Sequence, residues 1–345
     1  METLTMQPKR ESIFLLWTIL LLSLNSISGE VLGQDATTEE ALLPRMDDWF
    51  LSTGDWQNDP QIYVREYGSG DQVVVLLHGG WGGDHKGMMS LVEGMEEVGR
   101  FILYDQRGSL RSPFPDSLIT FDQHIEDVER LRKAIKVDKL TLVGHSMGSI
   151  LASAYASRYP EKIASLILMS PPGFLKNPLP EDDWKHAEEK EDEKTAFMKR
   201  AAIKEEIVKY QLDRSSPPLT SQEETSLFRI NFAGRMLYDV TKWTELRGGR
   251  ALYKGKVFGL TQNTYPKGGW NFIEDIRKAS YPITLIIGDH DFLDFGAVLA
   301  KRWAAEIPRM KLSVVEKAGH SLWIDQPEKM KHLLEKTLQK RINDK

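Results

Sequence analysis

The chain has 345 residues, enough for one large core plus an inserted subdomain. Its 45 Lys and Arg against 50 Asp and Glu leave a net charge of −5, which gives no general attraction to nucleic acid or anionic lipid and points to a small-molecule or short-peptide partner. There is no cysteine, so disulfides, thiolate nucleophiles and cysteine zinc sites are excluded.

Lys9 and Arg10 precede an apolar run from Ile13 to Leu24, and Ser26-Ile27-Ser28-Gly29 follows it. This is the pattern of a secretory signal peptide, residues 1–28, and predicts an exported protein. The alternative is an uncleaved anchor, but the run falls short of the ~20 apolar residues that cross a bilayer. No stable membrane span is expected once the signal is removed. Gln34 to Glu40 is polar and acidic with no apolar period, and residues 29–45 are expected to form a mobile leader.

From residue 46 onward, short apolar runs alternate with helical patterns, the signature of an α/β fold with a mostly parallel sheet and helices on both faces. Strands are predicted over 61–67, 73–77, 101–104, 140–143, 163–169, 283–287 and 311–315; several are continuously apolar, as strands covered on both faces should be. Over 121–135, Ile125, Val128 and Leu131 share one helical face behind a cap at Asp122. A last helix over 328–342 is introduced by Pro327. The alternation stops over 172–281, which predicts a mainly helical cap inserted between core segments 46–171 and 282–345. Within it, the charged run 181–199 reads as a solvated helix face.

Leu140-Thr141-Leu142-Val143 runs into Gly144-His145-Ser146-Met147-Gly148, and 149–159 can form a helix. Strand, sharp turn and helix thus follow in the order a nucleophile elbow needs, with Gly144 and Gly148 relieving the crowding on either side of Ser146. The helix start also favours negative charge beside the serine. His145 reads as packing, since a neighbour in the turn cannot easily reach the hydroxyl.

A serine hydroxyl needs a base, and the base a carboxylate to orient it. The strand 283–287 ends in Asp289-His290-Asp291-Phe292-Leu293-Asp294, and the strand 311–315 leads to Ala318-Gly319-His320-Ser321. The order serine, acid, histidine assigns Ser146 as nucleophile, Asp291 as acid and His320 as base, with Asp289 as the main competitor for the acid. His85, His124, His186, His290 and His332 do not sit in the loop directly after the final strand. No cofactor is called for, and His78, Asp84 and His85 lack a third convincing metal ligand.

Together these residues resemble the α/β-hydrolase superfamily over about 60–340. Val74-Val75-Leu76-Leu77-His78-Gly79-Gly80 is similar to that family's strand and oxyanion loop, and the resemblance implies Gly80 and Met147 as backbone N–H donors to an oxyanion. Asp105-Gln106-Arg107-Gly108-Ser109-Leu110-Arg111-Ser112 is similar to the Asp-Gln-Arg-Gly-x-Gly-x-Ser segment of the proline iminopeptidase branch; Asp105 and Arg107 are expected to hold the sheet edge through hydrogen bonds. Trp81 stands where that branch usually has proline, and Leu110 replaces its second glycine. Arg229-Ile230-Asn231-Phe232 is similar to the branch's Arg-Ile-Glu segment, but Asn231 replaces the carboxylate that holds a free amine.

The expectation is a serine hydrolase acting on an ester or amide through an acyl-enzyme, with ester favoured and N-terminal amino-acid release second. Carbon–carbon bond hydrolases also use serine and remain open. A serine at the turn speaks against epoxide hydrolases and haloalkane dehalogenases, which place aspartate there. A non-catalytic ligand-binding homologue is the rival of a different class.

Overall fold

The computed structural model describes residues 47–54, 58–172, 176–178, 180–247 and 253–339. The expected signal peptide and leader, 1–45, lie outside these residues.

Eight strands form one sheet: β1 (Asp48–Ser52), β2 (Gln61–Tyr67), β3 (Val73–Leu77), β4 (Arg100–Tyr104), β5 (Leu140–His145), β6 (Ile163–Met169), then β9 (Ile283–Gly288) and β10 (Met310–Val315). Their order across the sheet is β1-β2-β4-β3-β5-β6-β9-β10. The pairs β1–β2 and β2–β4 are antiparallel and every other pair is parallel. β7 (Lys176–Asn177) and β8 (Trp270–Asn271) make a separate two-stranded ribbon.

Successive side chains of a strand point to opposite faces, so each interior strand feeds two cores. Val75, Leu77, Leu142 and Leu285 join one apolar cluster with Ile125, Val128 and Leu131 of the helix Phe121–Ala134. Val74, Leu76, Val143 and Ile286 join the other, with Met330, Leu334 and Leu338 of the helix Pro327–Gln339. Helices therefore cover both faces, as the sequence pattern requires.

The helices, in chain order, are α1 (Lys86–Val92), α2 (Phe121–Ala134), α3 (Met147–Arg158), α4 (Glu181–Glu188), α5 (Glu191–Met198), α6 (Ala201–Lys209), α7 (Ser221–Met236), α8 (Gly255–Gln262), α9 (Ile273–Lys278), α10 (Val298–Glu306), α11 (Leu322–Asp325) and α12 (Pro327–Gln339). Those from α4 to α9 lie between β6 and β9, in the stretch where strand alternation is lost.

Two local expectations are corrected, and one strand was missed. The cap of α2 is Thr120, whose hydroxyl accepts from Gln123 N at 3.2 Å; Asp122 lies inside the first turn and pairs with Arg158 at 2.6 Å. β1 went unpredicted because only Leu51 of its five residues is buried, which leaves a faint period-two signal in an edge strand. Asp105 and Arg107 do not sit at a sheet edge, because β4 is flanked by β2 and β3. Arg107 instead makes two 2.6 Å bonds to the buried carboxylate of Asp127 on α2, and a third to Leu118 O. Asp105 accepts from His85 Nδ1 at 2.6 Å and from Arg111 at 3.2 Å.

Candidate active site

The turn between β5 and α3 carries Ser146 at φ 52° and ψ −123°, a left-handed conformation that costs energy in any residue but glycine. Packing imposes it. A Cβ on Gly148 would lie 2.0 Å from Leu77 O of β3, and one on Gly144 would lie 2.4 Å from Gly148 O. Both glycines thus let α3 start hard against the neighbouring strand, which lifts Ser146 out at the C-terminal end of the sheet. Ser149 Oγ donates to Gly144 O at 2.6 Å and Ser146 N to Met169 O at 2.9 Å, fastening the turn from both sides.

Asp291 and His320 follow β9 and β10, which run side by side with Gly288 opposite Val315. That register brings the two loops together: His320 Nδ1 lies 3.0 and 3.1 Å from the two Asp291 carboxylate oxygens, and both side chains are buried. Burial alone would raise the Asp291 carboxyl, but the His320 imidazole and the Leu293 N–H that it accepts hold it below the usual carboxylate range. Asp289, the competitor, is spent elsewhere, on His290 Nδ1 at 2.6 Å and Ala318 N at 3.2 Å. Asp294 accepts from Leu299 N and Ala300 N at the start of α10.

The other histidines have separate partners. His145 Nε2 donates to His320 O at 3.0 Å, and the two rings lie 4.6 Å apart. Burial, then the neighbouring His320, lowers His145 to about 3, so it is a neutral prop under the histidine loop. His78 accepts from Gln106 N at 3.1 Å and is kept neutral by burial. His124 stacks on Trp81 at 4.6 Å. Trp81 itself is fully buried and donates to Tyr265 OH at 2.5 Å, so the residue that replaces proline anchors the loop into the core. His186 faces Glu189 on the surface, and His332 is exposed on α12.

Ser146, His320 and Gly80 line one cavity of about 600 Å³. Met147 is the first residue of α3 and largely buried, so its N–H sits directly beside the serine. Neither the Gly80 nor the Met147 amide donates to another group among the described residues.

Another part of the lining comes from α7. Its start is fixed by a capping box, Thr220 accepting from Glu223 N at 3.3 Å and Glu223 from Thr220 N at 2.8 Å. Phe228, Asn231, Phe232, Arg235 and Met236, spaced as one helical face, then line the cavity. Asn231 is therefore at the site, with Nδ2 donating to Leu227 O at 2.8 Å. The remaining members of this stripe were missed in the sequence; the i, i+4, i+7, i+8 recurrence from Phe228 is the signal that could have found them. The far end of α7 meets the histidine loop: Ser321 N donates to Met236 O at 2.9 Å, and the buried Asp325 carboxylate accepts from Gly319 N, Tyr238 N and Asp239 N at 2.8, 2.7 and 3.1 Å.

A strained serine after a central strand, facing a cavity with a histidine that is backed by a buried aspartate, is the architecture of the α/β-hydrolase class. Residues 72–327 match the alpha/beta hydrolase fold family, and the chain belongs to that family and is a hydrolase of that fold. It is similar to a proline iminopeptidase from Heyndrickxia coagulans, with 26% identity over 274 residues covering 76% of this chain and 88% of the relative. Among solved structures it is similar to an esterase from Exiguobacterium antarcticum (TM-score 0.60, 19% identity, 85% of this chain and 100% of that one). It is also similar to the proline iminopeptidase of Mycobacterium smegmatis (TM-score 0.58, 18% identity, 85% and 98%).

Proposed function

We propose that the chain is a serine hydrolase that cleaves an ester through an acyl-enzyme, with Ser146, His320 and Asp291 as its triad. The observation that carries this reading is the convergence of Ser146 and the Asp291-backed His320 on one cavity. His320, held by Asp291 so that Nδ1 carries a proton, takes the hydroxyl proton of Ser146 on Nε2 as Oγ attacks the carbonyl carbon. The oxyanion that forms is met by the backbone N–H groups of Gly80 and Met147, which have no partner among the described residues. The imidazolium then protonates the leaving alcohol, and water, deprotonated by the same ring, releases the acid and restores Ser146. Residues 172–281 act as the cap that shields this chemistry from bulk water, and the signal-like segment 1–28 exports the enzyme.

Ester is favoured over a peptide amine because Asn231, a neutral amide, occupies the cavity where a carboxylate would hold an ammonium group. Asp84, the carboxylate among the described lining residues, is taken by Arg111 at 3.2 Å. The second reading, release of an N-terminal amino acid such as proline, draws on the similarity to proline iminopeptidases. A fluorophosphonate probe should label the wild type and not Ser146→Ala; labelling that persists in the variant rules out this nucleophile. Ligand binding with neither labelling nor turnover would mark a non-catalytic homologue. p-Nitrophenyl esters set against amino-acid p-nitroanilides separate the two substrate classes.

A further inference from the structure

The cavity is apolar over most of its wall, with Phe228, Phe232, Met236, Leu246, Phe292 and Trp323 among its lining residues. Against that background its charges stand out. Three of the described lining residues are Asp84, Arg235 and Arg247. Asp84 is buried and held by Arg111, and Arg247 is paired with Glu93, Nη2 lying 2.7 Å from Oε2. Arg235 makes no hydrogen bond or ion pair with any described residue. Of the cavity histidines, His78 and His145 are shifted toward the neutral form by burial, and His320 faces its own carboxylate, Asp291, so none adds a second unpaired cation. Among the described residues, one guanidinium without a counter-charge therefore stands exposed in an otherwise mostly apolar cleft, one helical turn from Asn231 and on the same face of α7.

We infer that Arg235 recognises an anionic group, a carboxylate or a phosphate, on an ester whose remaining surface is apolar. This rests on the serine-hydrolase reading and names its substrate class. A guanidinium offers a planar fork of N–H donors that matches the oxygens of either anion, whereas a neutral ester leaves that fork to water. The end of the helix next to Arg235 is tied to the histidine loop by the Ser321–Met236 bond, so the backbone that carries the guanidinium is placed before the ligand arrives.

The test uses the full-length protein and three phenyl acetates: 4-acetoxybenzoate, 4-acetoxyphenyl phosphate and neutral 4-acetoxybenzamide. kcat/KM is measured for the wild type, Arg235→Gln and Arg235→Glu. Each substrate is compared with itself across the enzymes, so differences in leaving-group reactivity cancel. Arg235→Gln should cut kcat/KM on the anionic esters about tenfold more than on the amide, and Arg235→Glu further still. The extra loss should shrink as salt rises from about 0.05 to about 0.5 M, since an exposed charge is screened. A greater loss on the phosphate than on the benzoate identifies phosphate as the preferred anion, and the reverse identifies carboxylate. Enzyme that labels with fluorophosphonate and loses equally on all three esters overturns the inference alone. Wild type that neither labels nor turns over any of the three overturns the hydrolase reading, and the inference with it.

Discussion

His320 Nδ1 faces both carboxylate oxygens of Asp291, at 3.0 Å from Oδ2 and 3.1 Å from Oδ1, with both groups out of solvent. A ring held this way keeps its proton on Nδ1 and leaves Nε2 as the acceptor. Asp291→Asn preserves the shape but lets the amide favour the opposite tautomer. It should lower kcat on an ester by about 10³- to 10⁴-fold with little change in KM. Steady-state kinetics on a p-nitrophenyl ester give the answer, and wild-type kcat in the variant would mean another group orients the imidazole.

Gly148 lets α3 begin in contact with β3. A methyl group there meets the backbone oxygen of Leu77 at 2.0 Å, and no rotamer change relieves it. Gly148→Ala should destabilise the fold by about 3 kcal/mol or more and slow fluorophosphonate labelling, because the strain is released by moving the turn that carries Ser146. Urea denaturation and labelling rate read the two effects. A variant with unchanged stability would show that the turn can shift freely.

Arg107 and Asp127 form a buried, doubly bonded ion pair between the loop after β4 and α2. Removing one partner strands the other charge in the interior. Asp127→Ala should cost about 3–5 kcal/mol in chemical denaturation, and Arg107→Ala a similar amount. A double variant less damaging than the sum of the singles would establish that the two act as a pair.

Asp294 is buried, and burial pushes its carboxyl up to about 6 even though Leu299 N and Ala300 N stabilise the charged form. Its folded value lies above its unfolded one. Its contribution is thus fully favourable below the unfolded value of about 4, declines as pH rises, and is lost above about 6. The Tm of Asp294→Asn relative to wild type should therefore climb between pH 4 and 6 and level off beyond. A difference that stays flat over that window would refute the shift.

Much of this molecule was legible before its coordinates. Seven of the sheet strands show as short runs rich in apolar and β-branched residues, and the interior strand Val73–Leu77, covered on both faces, is apolar at every position. Ser146, Asp291 and His320 could be singled out because each sits where a strand ends, and strand ends are marked by glycine and by a switch to polar residues. β1 escaped because an edge strand exposes one face, and Phe50 is open to solvent. The cavity wall escaped for a different reason. The face of α7 that lines the cleft carries Asn231 and Arg235 among its aromatics, and these polar residues interrupt the apolar period that would have revealed it.

Asp325 grips the histidine loop through Gly319 and the chain leaving α7 through Tyr238 and Asp239. Two parts of the protein far apart in the chain are thereby pinned to one point. Any swing of α7 that widened the cleft would have its hinge there, with the Thr220 end describing the larger arc. A bulky guest could then be admitted without dragging the imidazole out of line.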